Sequence, residues 1–158
     1  MLRELQVIKD KPAIASYKAG ETTISTGMAV VKNETDKTFE FASAETAADL
    51  YFVDKERIPT GVNAARGDIS DYDADFTTLV EADFGKLINY LPGERFATDA
   101  YVETGIATGV RLSANTAGKI VKAATTVESK YVCGGFYTDN GHKLVIVEVS
   151  DTTGKNAS

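Results

Sequence analysis

Residues 131–149 read YVCGGFYTDNGHKLVIVEV: two apolar runs joined by Asn140-Gly141. An Asn-Gly pair between such runs signals a two-residue type I′ turn, because both central positions need positive φ. A tight turn fixes the register of the strands around it. It sets Asp139 opposite His142, Tyr137 opposite Leu144, Gly135 opposite Ile146 and Cys133 opposite Glu148. One face of this hairpin then carries Val132, Phe136, Val145, Val147 and Val149, and the other carries Cys133, Tyr137, Leu144 and Ile146. Both faces are largely apolar, so the hairpin is expected to be covered on both sides.

The same register bears on chemistry. Cys133 and His142 are the only cysteine and the only histidine in the chain. The turn places His142 at the hairpin end and Cys133 six residues along the ladder, roughly 20 Å away at ~3.4 Å per residue. A thiol nucleophile and its base need to be about 3 Å apart. The hairpin therefore excludes a Cys-His dyad within one chain. A single cysteine also excludes an intramolecular disulfide, and a single histidine excludes two-His metal motifs.

The rest of the chain is punctuated in the same way. MAVVKN (28–33) reads as a strand, and KTFEFA (37–42) alternates with Phe39 and Phe41 on one face. Residues 42–53 open in a way that allows a helical turn and end strand-like in Leu50-Tyr51-Phe52-Val53. Residues 58–76, rich in Gly, Asp, Asn and Pro, read as a long loop. Pro92-Gly93 and Asn115–Gly118 mark turns between apolar segments. No long amphipathic helix and no internal repeat is evident. The expected fold is mainly β, a small β-barrel or sandwich with an extended N-terminal arm. Residues 1–20 form the arm, 21–150 the β-rich domain and 151–158 a polar, loose tail. In the arm Leu2, Leu5, Val7 and Ile8 stand among charges and Pro12 opposes helix. A frayed terminus fits the same composition.

Several motifs fail on inspection. Asp71, Asp73 and Asp75 alternate as calcium ligands do, but Phe76 replaces the EF-hand glycine and Ala82 the bidentate glutamate. A solvated acidic loop accounts for them, and no metal site is expected. Arg66-Gly67-Asp68 is too short a match to imply adhesion. Gly118-Lys119 lacks the P-loop context, with Ser113 and Ile120 at the Gly and Ser/Thr positions. The sequons at Asn33 and Asn156 matter only in a secreted eukaryotic protein. With a net charge of −6 and no basic run, the chain is a poor nucleic-acid binder. No apolar run approaches the ~20 residues that span a bilayer, and the first residues do not read as a signal peptide. No nucleophile–base–orienter set emerges, which favours a binding or structural role over an enzyme.

Taken in order, GMAVVKN (27–33), YFVDKERIPTG (51–61), YLPGERFATDAY (90–101), AGKIVKAA (117–124) and GGFYTDNGHKLVIVEV (134–149) resemble the capsid decoration, or cement, proteins of tailed bacteriophages. The resemblance runs over roughly residues 20–150. It implies a structural protein, made in the bacterial cytoplasm, that binds the outer surface of the expanded capsid and holds capsomers together. The partner would be the major capsid protein, often met through an N-terminal arm, with a homotrimer at local three-fold positions, no cofactor and no catalysis. On this reading Leu2, Leu5, Val7 and Ile8 would meet the shell, the arm adding a strand to an exposed edge. Tyr137, Leu144 and Ile146 would lie at the oligomer interface. A tail or fibre component that meets carbohydrate is the alternative, although tryptophan is absent.

Overall fold

A computed structural model describes residues 1–8, 16–21, 23–54 and 77–157. Its elements are strands: β1 (Leu2–Gln6), β2 (Lys18–Ala19), β3 (Ile24–Ser25), β4 (Ala29–Asn33), β5 (Thr38–Glu40), β6 (Tyr51–Asp54), β7 (Thr78–Leu79), β8 (Lys86–Ile88), β9 (Arg95–Thr98), β10 (Arg111–Ala114), β11 (Ile120–Lys122), β12 (Ser129–Asp139) and β13 (His142–Gly154). The mainly-β expectation holds. The long loop at 58–76, with Arg66-Gly67-Asp68 and the three alternating aspartates, lies outside the described residues.

The β12–β13 hairpin turns where the sequence says it should, with Asn140 at φ 48° and Gly141 at φ 83°. Asp139 faces His142, Tyr137 faces Leu144 and Gly135 faces Ile146. Cys133, however, faces Val147 and not Glu148, because the ladder shifts between Cys133 and Gly135. Gly135 sits at φ 113°, a conformation open in practice only to glycine, and Gly134 is the extra residue of a β-bulge. A one-residue shift exchanges faces. Tyr131 and Cys133 therefore join Val145, Val147 and Val149 in the core, while Val132 turns outward beside Glu148.

Six strands form one antiparallel sheet in the order β1-β9-β13-β12-β10-β11. Five form a second in the order β2-β5-β4-β6-β8. This second sheet curls back on itself: Lys18 bridges Phe84, and the bonds Ala19 N to Asp83 O and Ala82 N to Ala19 O, both 2.8 Å, tie β2 to the approach to β8. Its interior holds Tyr17, Ala19, Ile24, Val30, Phe39, Val53, Leu79 and Leu87, with the short β3–β7 pair contributing Ile24 and Leu79. Its other face packs on the six-stranded sheet. Phe52 at the centre of that seam lies 4.3 Å from the Phe96 ring and 5.8 Å from the Tyr131 ring, and Tyr90 stacks on Phe96 at 4.1 Å. Because β4, β6 and β8 are buried on both faces, their sequences are nearly continuous apolar runs. Ala29, Phe52 and Ile88 point to one core, and Val30, Val53 and Leu87 to the other.

Both termini differ from expectation. The first eight residues are not a free arm: Leu2–Gln6 pair antiparallel with β9, and Met1 is buried. The Met1 nitrogen donates to Thr26 O at 2.9 Å and pairs with Asp99. Residues 9–15 lie outside the described residues. At the other end β13 runs to Gly154, and Asn156 then acts as a surrogate strand residue. Its Nδ2 donates to Arg111 O and Ala123 O, and its Oδ1 accepts from Arg111 N, at 2.7–2.9 Å. The expected loose tail is thus tied down through residue 156. The segment 42–50 holds no helical turn, and Thr46 instead bridges to Ala114 between the sheets.

Candidate interaction surface

The most exposed apolar side chains on the six-stranded sheet gather at its β1 edge. Among the described residues β1 pairs only with β9, so its outer edge carries no further strand. Leu5, Val7 and Ile8 are exposed there, Ile8 by 61%. Leu2 instead packs, half-buried, against the main core. The expected contact set thus divides into one anchor and three outward-facing groups.

The neighbouring turn extends this surface. Pro92-Gly93 forms a type II turn, with Glu94 N donating to Leu91 O at 3.1 Å and Gly93 at φ 87°, the position that needs glycine. Leu91 is 44% exposed, and Ile8 Cδ1 lies 2.8 Å from where a Gly93 side chain would begin. Leu91 was not singled out from the sequence, where a leucine before Pro-Gly reads as a strand end. Beneath the turn the fully buried Glu94 carboxylate accepts Leu91 N at 2.6 Å and Ile8 N at 3.1 Å. Glu94 is also among the residues that line a cavity of about 300 Å³, with Arg95, Glu148, Val132 and Ser150. Arg95 Nε stands 2.8 Å from Glu148 Oε1 there.

The expected oligomer surface is not one surface. Tyr137 is exposed, Ile146 half-buried and Leu144 fully buried. Met1, Ala97 and Ile146 cover Leu144 from within the chain. The apolarity on that face of the hairpin is thus largely satisfied by the chain itself, which the sequence concealed because Met1 and Ala97 come from more than 40 positions away. On the opposite face Phe136 lies 6.0 Å from the Tyr101 ring and has the Lys143 ammonium 4.3 Å above it.

Among the described residues, Cys133 and His142 do not converge. Cys133 is buried, and that burial pushes its thiol above the ordinary range. Its Sγ accepts Gly135 N at 3.4 Å, and His142 stands at the far end of the hairpin opposite Asp139. Among the described residues no group of three or more His, Cys, Asp or Glu could hold a metal ion. No helix among them is long and apolar enough to cross a membrane. Both sequon asparagines are engaged: Asn156 as above, and Asn33 through Oδ1 bonds from Thr35 N and Asp36 N. No family model, no curated protein and no solved structure matches the chain.

Proposed function

We propose that this chain is a structural protein of a tailed-bacteriophage virion, a decoration protein on the outer capsid surface that contacts the major capsid protein and catalyses nothing. The observation that carries the reading is the β1 edge, which no other strand among the described residues pairs. An unpaired strand edge offers a row of N–H and C=O groups to an extended segment of another chain, and Leu5, Val7, Ile8 and Leu91 supply apolar surface beside it. The set of motifs that resembles the cement proteins points the same way. A homotrimer on the shell belongs to this reading. Its contacts would fall on exposed side chains such as Tyr137, since Leu144 is already covered. The carbohydrate-binding alternative draws no support from Phe136, whose ring is met by Lys143.

The test is sedimentation with expanded, undecorated capsids assembled from the cognate major capsid protein. The protein should pellet with them to a saturating stoichiometry and raise their resistance to heat. A folded protein that stays in the supernatant at every concentration would overturn the reading.

A further inference from the structure

We propose that the N-terminal strand is a strap able to open from the body on its own, with the Glu94 carboxylate as its latch. The strap is held unevenly. At its start Met1 is buried, and Leu2 packs on the main core. From Glu4 onward every residue to Ile8 is exposed, and the pairing with β9 shifts between Glu4 and Gln6, leaving Leu5 without a partner in the register. Apolar burial therefore does little to hold this end. Few buried contacts and exposed backbone hydrogen bonds mark a segment that opens locally at low free energy.

Glu94 opposes that opening. It is fixed from the body side, its N–H closing the turn on Leu91 and its C=O accepting Val149 N at 2.9 Å. Its side chain reaches the other way, one oxygen on Leu91 N and the other on Ile8 N. Hydrogen bonds to a buried carboxylate are about twice as strong as neutral ones. One side chain thus joins the frayable end of the strap to a rigid turn. Glu94 is also one of the residues that line the cavity shared with Arg95 and Glu148. When the strap lifts, β9 loses its partner over Arg95–Phe96 and becomes the sheet edge. The device converts a closed strand into an open one without disturbing the β12–β13 hairpin. It operates whatever partner the edge serves.

The test is amide hydrogen exchange, read by mass spectrometry on the full chain at neutral pH, for wild type, Glu94→Ala and Glu94→Gln. Exchange in residues 2–8 should accelerate about ten-fold or more in Glu94→Ala. Glu94→Gln should be intermediate, because its amide oxygen keeps one acceptor. Residues 131–149 should keep their protection in both. Unchanged exchange in 2–8 would overturn the proposal. So would equal acceleration of strap and hairpin in both variants, since Glu94 would then support the whole core and not the strap.

Discussion

Tyr131 brings a phenol into the core and leaves its hydroxyl without a hydrogen-bond partner among the described residues. Burial pushes its ionisation well above the ordinary range, with Asp49 adding to the shift. A buried polar atom with no partner keeps its desolvation cost, and removing it can be neutral or favourable. Tyr131→Phe keeps the ring beside Phe52 and deletes only that oxygen. Urea denaturation should show stability unchanged or raised by up to about 1 kcal/mol. A loss of more than about 1 kcal/mol would mean the hydroxyl holds a bond that the structure does not contain. Tyr131 reaches this position only through the Gly134 bulge. Unbroken period-two alternation puts Tyr131 and Cys133 on the face away from Val149 and Val132 on the face of Val149, each the wrong way round, because alternation carries no signal for an inserted residue. The Gly-Gly pair was the available clue, since glycine within a strand often marks a bulge.

At the scale of elements, the β4–β5 turn is held to the start of β2 by one carboxylate. Glu34 receives the Tyr17 hydroxyl and the Lys37 and Lys32 ammonium groups, the last two at 3.1 and 3.2 Å. Lys32 also lies over the rings of Tyr17 and Tyr51, at 5.2 and 4.7 Å. The Tyr17 hydrogen bond first, then those from Lys37 and Lys32, lower the Glu34 carboxyl from 4.5 to about 2. A depressed carboxyl contributes stability that is complete above its ordinary value and is lost as pH falls through its folded value. The contribution of Glu34 should therefore be present at pH 6 and fade between pH 4.5 and about 2. Thermal melts of wild type and Glu34→Gln should differ at pH 6 and converge near pH 2. Because Glu34 is largely exposed, the difference should shrink in 0.5 M salt as well. A gap that persists unchanged at pH 2 would show that the substitution acts through something other than charge. Strands of this region were legible because Phe39/Phe41 and Leu50–Val53 alternate or run apolar between turn residues. The curl that closes the second sheet was not, since it rests on backbone bonds between Ala19 and residues 82–83, and backbone bonds leave no trace in side-chain pattern.

At the scale of the whole molecule, the N-terminal residues belong to both the fold and the proposed contact, and an experiment must separate the two. The composition of residues 1–20 suggested a detachable arm, because charges interleave with the apolar side chains; what it hid is that β9 supplies a strand for Leu2–Gln6 to pair with. Deleting residues 2–12 would remove that strand, strip Leu2 from the core and disturb Met1 over Leu144. Lost attachment in such a truncation would say little about docking. Leu5 and Val7 offer a cleaner probe, since both are about two-fifths exposed and outside the core clusters. Lysine is the better replacement than aspartate, because a carboxylate at position 7 would stand one residue from Ile8, whose N–H the Glu94 carboxylate accepts. Lysines on a strand edge also oppose pairing with another strand. Fully burying a leucine or valine side chain stabilises a contact by roughly 1.5–3 kcal/mol; with about two-fifths of each left to bury, the pair contributes about 1–2.5 kcal/mol, and every 1.4 kcal/mol is about ten-fold in affinity. Leu5→Lys with Val7→Lys should therefore leave the circular dichroism spectrum and melting temperature close to wild type while weakening capsid attachment by at least roughly ten-fold. Co-sedimentation across a concentration series reads the difference. Attachment as tight as wild type, in a protein that still melts like wild type, would move the contact off the β1 edge and onto another face of the β body.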